Sequence, residues 1–221
     1  MVKRKVIMQS TWTTKAQLYE VLSIAFGYTN PGTIDALADE AFAAALHGFC
    51  EQETSTLDYK KDIEPFLSQC LTEDRDALFH RIRIEYTRLF VGSPRALVSP
   101  YAGIWYALDK GLDPLLFVGK ESMAVERFMR SCGITRPEGM NEPLDDISAE
   151  LEFLNYLALN EAGAIELPKG VSIPETAYSE FYTKHFSEWT KRFADAVIEE
   201  SSEPLFRIAA SVLKALPAQP W

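Results

Sequence analysis

Apolar residues recur along this chain at intervals of three and four, the spacing that puts them on one face of an α-helix. The clearest run of this kind extends from Ile34 to Phe49, and a shorter one runs from Leu18 to Phe26. We find no stretch with the alternation of apolar and polar residues that is typical of a half-buried β-strand. The pattern therefore predicts an all-α protein of about nine or ten helices, packed helix on helix.

Capping residues and breakers divide the pattern into separate helices. Thr72 is predicted to cap a helix that runs to about Phe90. Gly92 and Pro94 should end that helix, and Pro100 suits the first turn of the short helix that follows. Further apolar stripes of helical spacing occupy residues 123–132, 147–158, 181–197 and 205–216.

The chain of 221 residues is long enough to bury a substantial core, and we expect one helical domain over residues 1–221. The segment 134–144 contains two prolines and a glycine and is the longest irregular stretch. It is a possible hinge or a boundary between two lobes.

Charge narrows the classes of partner. The chain has 22 basic and 32 acidic residues, which leaves a net charge of −10. Such a chain lacks the basic surface that neutralises phosphates, so nucleic acid is not an expected partner, whereas a basic partner would be attracted. No apolar run is long enough to span a bilayer, and the three cysteines stand too far apart for a disulfide framework or a zinc site. We expect a cytoplasmic protein without a metal or cofactor.

Motifs for catalysis are missing from the sequence. Residues 119–122 are similar to the end of a phosphate-binding loop, but Pro114 and Glu121 stand where that loop needs a glycine and a hydroxyl. The histidines lack the Glu-x-x-His spacing of di-iron bundles. These observations predict a protein that is not an enzyme. A small-ligand regulator that uses the region of His185 and Trp189 remains an alternative.

Two groups of residues are candidates for binding. In the first, aromatic residues surround the predicted helix stop at Gly92, and its arginine needs a carboxylate or main-chain carbonyls as a partner. The members of this group are Tyr86, Arg88, Phe90, Pro100, Tyr101 and Trp105.

The second group is acidic. Asp145 or Asp146 is expected to cap the next helix, but capping does not require so many carboxylates. The patch can be a receptor for guanidinium groups or simply a solvated surface. Its members are Glu142, Asp145, Asp146 and Glu150.

In order and spacing, these groups resemble the TorD/DmsD family of redox-enzyme maturation chaperones. The family pattern Tyr-x-Arg-Leu-Phe-x-Gly corresponds to 86–92 here, its helix-start proline to Pro100, and its Glu-x-Pro-Asp-His-Ile-x-x-Glu-Leu-x-Phe segment to 142–153. A third, weaker match is His185 with Trp189 and Phe193. The chain departs from the family at Asp146, which stands where the family has histidine, and at Ala102 and Gly103, where acidic and hydroxylic residues are usual.

The resemblance implies an all-helical chaperone that binds the twin-arginine signal peptide, the apo form, or both, of a molybdenum-containing oxidoreductase. It would assist cofactor insertion and proofreading before export, as a monomer or a domain-swapped dimer with its hinge near 134–144. Some family members bind guanine nucleotides. An assembly factor of the nitrate-reductase delta type, which binds the mature part of a redox subunit, is the alternative with the same fold. The expected peptide-binding residues are the two groups above together with His185 and Trp189. Without the family histidine, charge pairing should dominate recognition.

Overall fold

The computed structural model describes residues 2–51, 57–92, 95–112, 119–136 and 143–220, with side chains from residue 11 onward. Over these residues the protein is all-α, as the apolar spacing predicts. The α-helices are α1 (Val2–Phe26), α2 (Pro31–Leu37), α3 (Glu40–Cys50), α4 (Glu64–Thr72), α5 (Arg75–Tyr86), α6 (Ala102–Asp109), α7 (Lys120–Ser131), α8 (Ile147–Glu161), α9 (Ala177–Phe181), α10 (Ser187–Glu200) and α11 (Pro204–Ala215).

Three π-helical segments accompany them, at Tyr59–Ile63, Thr87–Val91 and Tyr182–Phe186. The last of these divides what the apolar stripe 181–197 predicts as one long helix. The run from Ile34 to Phe49 is likewise divided between α2 and α3, because Asp39 caps a new helix. The described residues therefore contain one or two more helices than expected. The segment Thr87–Val91 extends α5 and confirms a helical stretch to about Phe90.

The start of α5 corrects one prediction. Thr72 is not an N-cap: it ends α4, and its hydroxyl donates to main-chain carbonyls of that helix. Asp74 caps α5 instead, because its carboxylate accepts from the main-chain N–H groups of Asp76 and Ala77. An aspartate satisfies two of the free N–H groups at a helix start at once.

The start of α6 corrects another. The helix begins at Ala102, and Pro100 precedes it rather than lying in its first turn. The carbonyl of Pro100 accepts a hydrogen bond from the N–H of Ile147 at 2.8 Å. Pro100 is therefore held in extended chain by a partner distant in sequence, which the local pattern does not show.

The chain divides into two compact units. Unit 1 contains residues 1–19, 100–190 and 217–221, and unit 2 contains residues 20–99 and 191–216. The chain changes unit at the ends of these ranges, and none of them falls within 134–144. Residues 137–142 of the predicted hinge lie outside the described residues. A hinge there stays a prediction.

Each unit has its own aromatic core. In unit 2, the ring of Phe193 lies 5.3 Å from Phe26 and 5.9 Å from Phe90. In unit 1, Phe181 lies 4.7 Å from Phe153, and the hydroxyls of Tyr19 and Tyr178 are 2.7 Å apart. None of the described helices has the length and apolar character needed to cross a membrane.

Candidate functional site

Two aromatic residues of the first group, Tyr86 and Phe90, lie in the core of unit 2. Tyr86 and Phe90 are buried, with ring centroids 5.1 Å apart, and Phe90 also packs against Phe206 at 5.5 Å. The π-helical segment Thr87–Val91 ends at Gly92, whose φ is +35°. A Cβ there would lie 2.5 Å from the carbonyl oxygen of Arg95, so this turn requires glycine.

Arg88 has the partner that the sequence analysis says it needs. Its guanidinium forms a two-pronged contact with Glu85, with Nε–Oε2 at 2.7 Å and a second bond of 2.9 Å to Oε1. It also donates to the carbonyl of Glu200. Glu85 in turn accepts from the N–H of Ser202 at 2.8 Å and the hydroxyl of Ser201 at 3.1 Å.

The hydrogen bond from Arg88 has the largest effect on Glu85. Together with the hydrogen bonds from Ser202 and Ser201, it lowers the pKa of Glu85 to about 2. The sequence analysis did not select Glu85, although a carboxylate three residues before an arginine on a helix is the signal that identifies such a pair. This network joins the end of α5 to the residues after α10 within unit 2.

The other members of the first group, Pro100, Tyr101 and Trp105, lie in unit 1. Tyr101 and Asp146 form an isolated antiparallel bridge, and the N–H of Ala102 donates to the main-chain carbonyl of Asp145 at 2.9 Å. The start of α6 is thereby tied to the start of α8. Trp105, on α6, is partly exposed.

Asp146 is the N-cap of α8, which confirms that one of the two aspartates caps this helix. Its carboxylate accepts from the main-chain N–H of Ser148 at 2.8 Å and from the Ser148 hydroxyl. Burial raises the pKa of Asp146 to about 6, against the opposing effect of these hydrogen bonds. By surface area, part of the residue still reaches solvent.

Asp145 points into unit 1 and is 1% exposed. Its Oδ2 accepts from the N–H of Gly103 at 2.9 Å and from the hydroxyl of Ser122 at 2.6 Å. Its Oδ1 has no hydrogen-bond partner among the described residues. A Cβ on Gly103 would lie 2.4 Å from the Ser122 oxygen, so this arrangement requires a glycine at position 103.

Glu150 lies one turn into α8 and is fully buried. Its Oε2 accepts from the indole Nε1 of Trp189 at 3.1 Å, whereas Oε1 has no partner within the described part of the chain. Burial is the main reason that the pKa of Glu150 is raised well above its ordinary value, and the negative charge of Asp145 raises it further. We call Asp145, Asp146 and Glu150 the carboxyl cluster.

Two of the three residues of the third match, His185 and Trp189, differ in their surroundings. Trp189 is fully buried, and its indole orients Glu150. His185 is half-buried, with its ring 5.5 Å from Phe181 and 5.6 Å from Phe128, and burial lowers its pKa. Both belong to unit 1 with the carboxyl cluster.

Glu142, the remaining predicted acidic residue, lies outside the described residues. The structure adds two residues that the sequence analysis missed as site residues, Gly103 and Ser122. Ser122 was considered only as part of a phosphate-binding loop, and no signal in its own segment indicates that Asp145 is its partner. Among the described residues, no group of three or more His, Cys, Asp or Glu side chains is arranged to hold a metal ion.

Residues 38–195 match a family model described as the nitrate reductase delta subunit. The chaperone protein TorD of Vibrio cholerae serotype O1 (strain ATCC 39541) is 25% identical over 174 residues, which cover 79% of this chain and 74% of that protein. The Tat proofreading chaperone DmsD of Salmonella typhimurium is 27% identical over 135 residues, which cover 61% of this chain and 57% of that protein.

Among solved structures, a redox enzyme maturation protein from Archaeoglobus fulgidus matches with a TM-score of 0.53. Its sequence is 24% identical, and the match covers 90% of this chain and 91% of that one, which shows a shared fold. The resemblance to TorD and DmsD is confirmed by these comparisons. Since the family model matches more than half of the chain, this protein belongs to the nitrate reductase delta subunit family, with TorD and DmsD chaperones among its relatives.

Proposed function

We propose that this protein is a cytoplasmic redox-enzyme maturation chaperone that acts by binding and not by catalysis. Its client is the apo form of a molybdenum-containing oxidoreductase, recognised through a twin-arginine signal peptide. The chaperone holds the client during cofactor insertion and proofreads it before export. The names of the TorD and DmsD relatives support the chaperone class.

The observation that carries the peptide-binding proposal is the carboxyl cluster. Asp146 reaches solvent in part. Its sequence neighbour Asp145, and Glu150 one helical turn later, each keep one buried oxygen without a hydrogen-bond partner among the described residues. A guanidinium carries five N–H donors in a planar fork, and it can satisfy several carboxylate oxygens at once. An arginine side chain is therefore the ligand whose donors match the free acceptors.

Helix α6 offers a surface for the apolar part of the same peptide. It is strongly apolar, yet Ala102 is its one buried residue. Trp105 is partly exposed, and Leu108 is 52% exposed. Because α6 starts beside Asp145 and Asp146, a basic residue at the cluster and apolar residues along α6 lie in the order in which a signal peptide presents them.

Several other predicted peptide-binding residues contribute to this proposal through the fold of the protein. Tyr86 and Phe90 pack in the core of unit 2, and Arg88 is held by Glu85. Trp189 orients Glu150 from inside unit 1. These positions favour a contribution to the shape of the protein over direct contact with the peptide.

The test compares two helix-capping aspartates by titration calorimetry with a twin-arginine peptide. Asp146→Asn removes a charge from the cluster and keeps a good cap, and Asp39→Asn makes the same change at the exposed cap of α3. We expect about a tenfold loss of affinity for Asp146→Asn, none for Asp39→Asn, and weaker binding in added salt. Equal affinities for wild type and Asp146→Asn would contradict the proposal.

A second function is favoured by the description of the family model. A nitrate reductase delta subunit is named for a redox enzyme, and this chain can bind the mature part of such a subunit instead of its signal peptide. The two functions differ in one measurement. A client without its signal peptide binds with full affinity if the mature part is recognised, and it loses binding if the peptide is recognised.

A further inference from the structure

The two interior carboxyl groups of the cluster have no positive partner among the described residues. Asp145 and Glu150 are 1% and 0% exposed, and Oδ1 of the first and Oε1 of the second have no hydrogen-bond partner among the described residues. A buried ionised carboxylate is strongly unfavourable unless it is paired or fully hydrogen-bonded. Full ionisation of both is more costly still, because the charge of Asp145 acts on Glu150.

Described groups on the turn before α8 and on α10 face Glu150. The turn before α8 contributes Asp145 and Asp146, and α10 contributes the indole of Trp189. Asp145 receives the N–H of Gly103 from α6 and the hydroxyl of Ser122 from α7. The charged groups that act on Glu150 are thus both negative. His185 is not among the groups that shift the pKa of Glu150.

We propose that the carboxyl cluster holds a proton in the free protein and releases it to solvent when a cationic side chain of the client binds. This inference rests on the proposed function and adds to it the regulation of the same site. The proton lies on Oε1 of Glu150, because Oε2 already accepts the hydrogen bond from Trp189.

The exchange is balanced in charge and atoms. In the free protein one carboxyl O–H bond keeps the cluster less negative. When a guanidinium enters, that bond breaks, the proton passes to the buffer, and the new carboxylate accepts N–H donors from the ligand. The directions in which the pKa values of Glu150 and Asp146 are shifted, both upward, agree with a proton held by the cluster. Peptide affinity should therefore fall as pH is lowered, since protons then compete with the cation.

Calorimetry measures the released proton directly. A twin-arginine peptide is titrated into the full chain at about pH 6.5 in phosphate and in imidazole buffer, whose ionisation enthalpies differ, and the difference in binding heat gives the number of protons transferred. We expect a release of about half to one proton per peptide. Binding heat that is identical in the two buffers would overturn the release step alone. No binding heat in either buffer would overturn the proposed function as well.

Two variants locate the proton. Glu150→Gln keeps an oxygen that accepts from Trp189 but cannot hold a carboxyl proton, whereas Glu166→Gln makes the same change at an exposed position of unit 1. Proton release should be lost in the first variant and unchanged in the second. Release that persists undiminished in Glu150→Gln would overturn the assignment.

An infrared measurement tests the resting state without any peptide. A protonated carboxylic acid shows a carbonyl stretch that is distinct from the bands of a carboxylate. We expect this band in the wild-type protein at neutral pH and its loss in Glu150→Gln, with near-ultraviolet circular dichroism to verify the fold. Absence of the band from the wild-type spectrum would overturn the proposal.

Discussion

The indole Nε1 of Trp189 donates a hydrogen bond of 3.1 Å to Oε2 of Glu150, and both side chains are fully buried in unit 1. The two residues are 39 positions apart in the chain. The bond makes a buried tryptophan the positioning group for a buried carboxyl group. The energetic consequences of this arrangement can be measured.

Removal of the indole N–H should lower the free energy of unfolding. Trp189→Phe leaves Glu150 without its donor and creates a space in the core, so we expect the free energy of unfolding to fall by about 2–4 kcal/mol. Glu150→Gln keeps the acceptor and removes a potential charge, so it should cost much less. Urea denaturation at neutral pH measures both. Equal losses in the two variants would show that the hydrogen bond is not the reason.

Stability should decrease as pH rises through the mildly acidic range. The folded-state pKa of Asp146 is raised to about 6 from an ordinary 3.8. Between these values the unfolded chain loses its proton first, which favours the unfolded state. Asp146→Asn should flatten the dependence of the free energy of unfolding on pH in this window. The same slope in wild type and variant would contradict the raised pKa.

Glu85 should show the opposite dependence. Its folded-state pKa is lowered to about 2 from 4.5, so its contribution is complete above about pH 5 and is lost as pH falls toward 2. Glu85→Gln should lower the free energy of unfolding at pH 7 by about 2 kcal/mol, after allowance for the solvent exposure of Arg88. Asp35→Asn, which breaks an exposed pair with Arg75, is the control and should change it little. A loss at Asp35 as large as the loss at Glu85 would be contrary to this account.

Gly103 should not tolerate a side chain. The Cβ of Gly103→Ala would lie 2.4 Å from the hydroxyl oxygen of Ser122, so we expect a loss of about 1–3 kcal/mol in the free energy of unfolding. Gly48→Ala is the matched control, because no atom lies within 4 Å of its new Cβ and α3 should gain from the substitution. Gly103→Ala combined with Ser122→Ala should lower the free energy of unfolding by less than the sum of the two single losses. Strict additivity would exclude the steric conflict.

Much of the fold follows from local rules. Apolar residues at helical spacing predict α3, α8 and α11, since an amphipathic helix must turn that face inward. A capping role for Asp145 or Asp146 is also predictable, because an aspartate before an apolar run satisfies free N–H groups of the first turn. Where several residues could cap, the local pattern is insufficient: Asp74, not Thr72, caps α5.

Only part of the candidate site can be predicted from the local sequence. The motif around Arg88 indicates that a partner must exist, and Glu85 is close enough in sequence to be found by helix spacing. The donors to Asp145 come from α6 and α7, and the donor to Glu150 comes from α10, each from a distant part of the chain. From the sequence, the acidic group has the appearance of a surface patch. The structure shows that two of its members are interior.

The sequence by itself determined the all-helical class, most helix positions, the acidic character and the family resemblance, because these depend on spacing, capping and composition. Only the tertiary structure decided which carboxyl groups are buried, which donors they receive and which oxygens remain without a partner in the described chain. Burial and hydrogen bonding of a side chain depend on the atoms that surround it in space. For Asp145 and Glu150 those atoms are contributed by residues up to 42 positions away in the sequence.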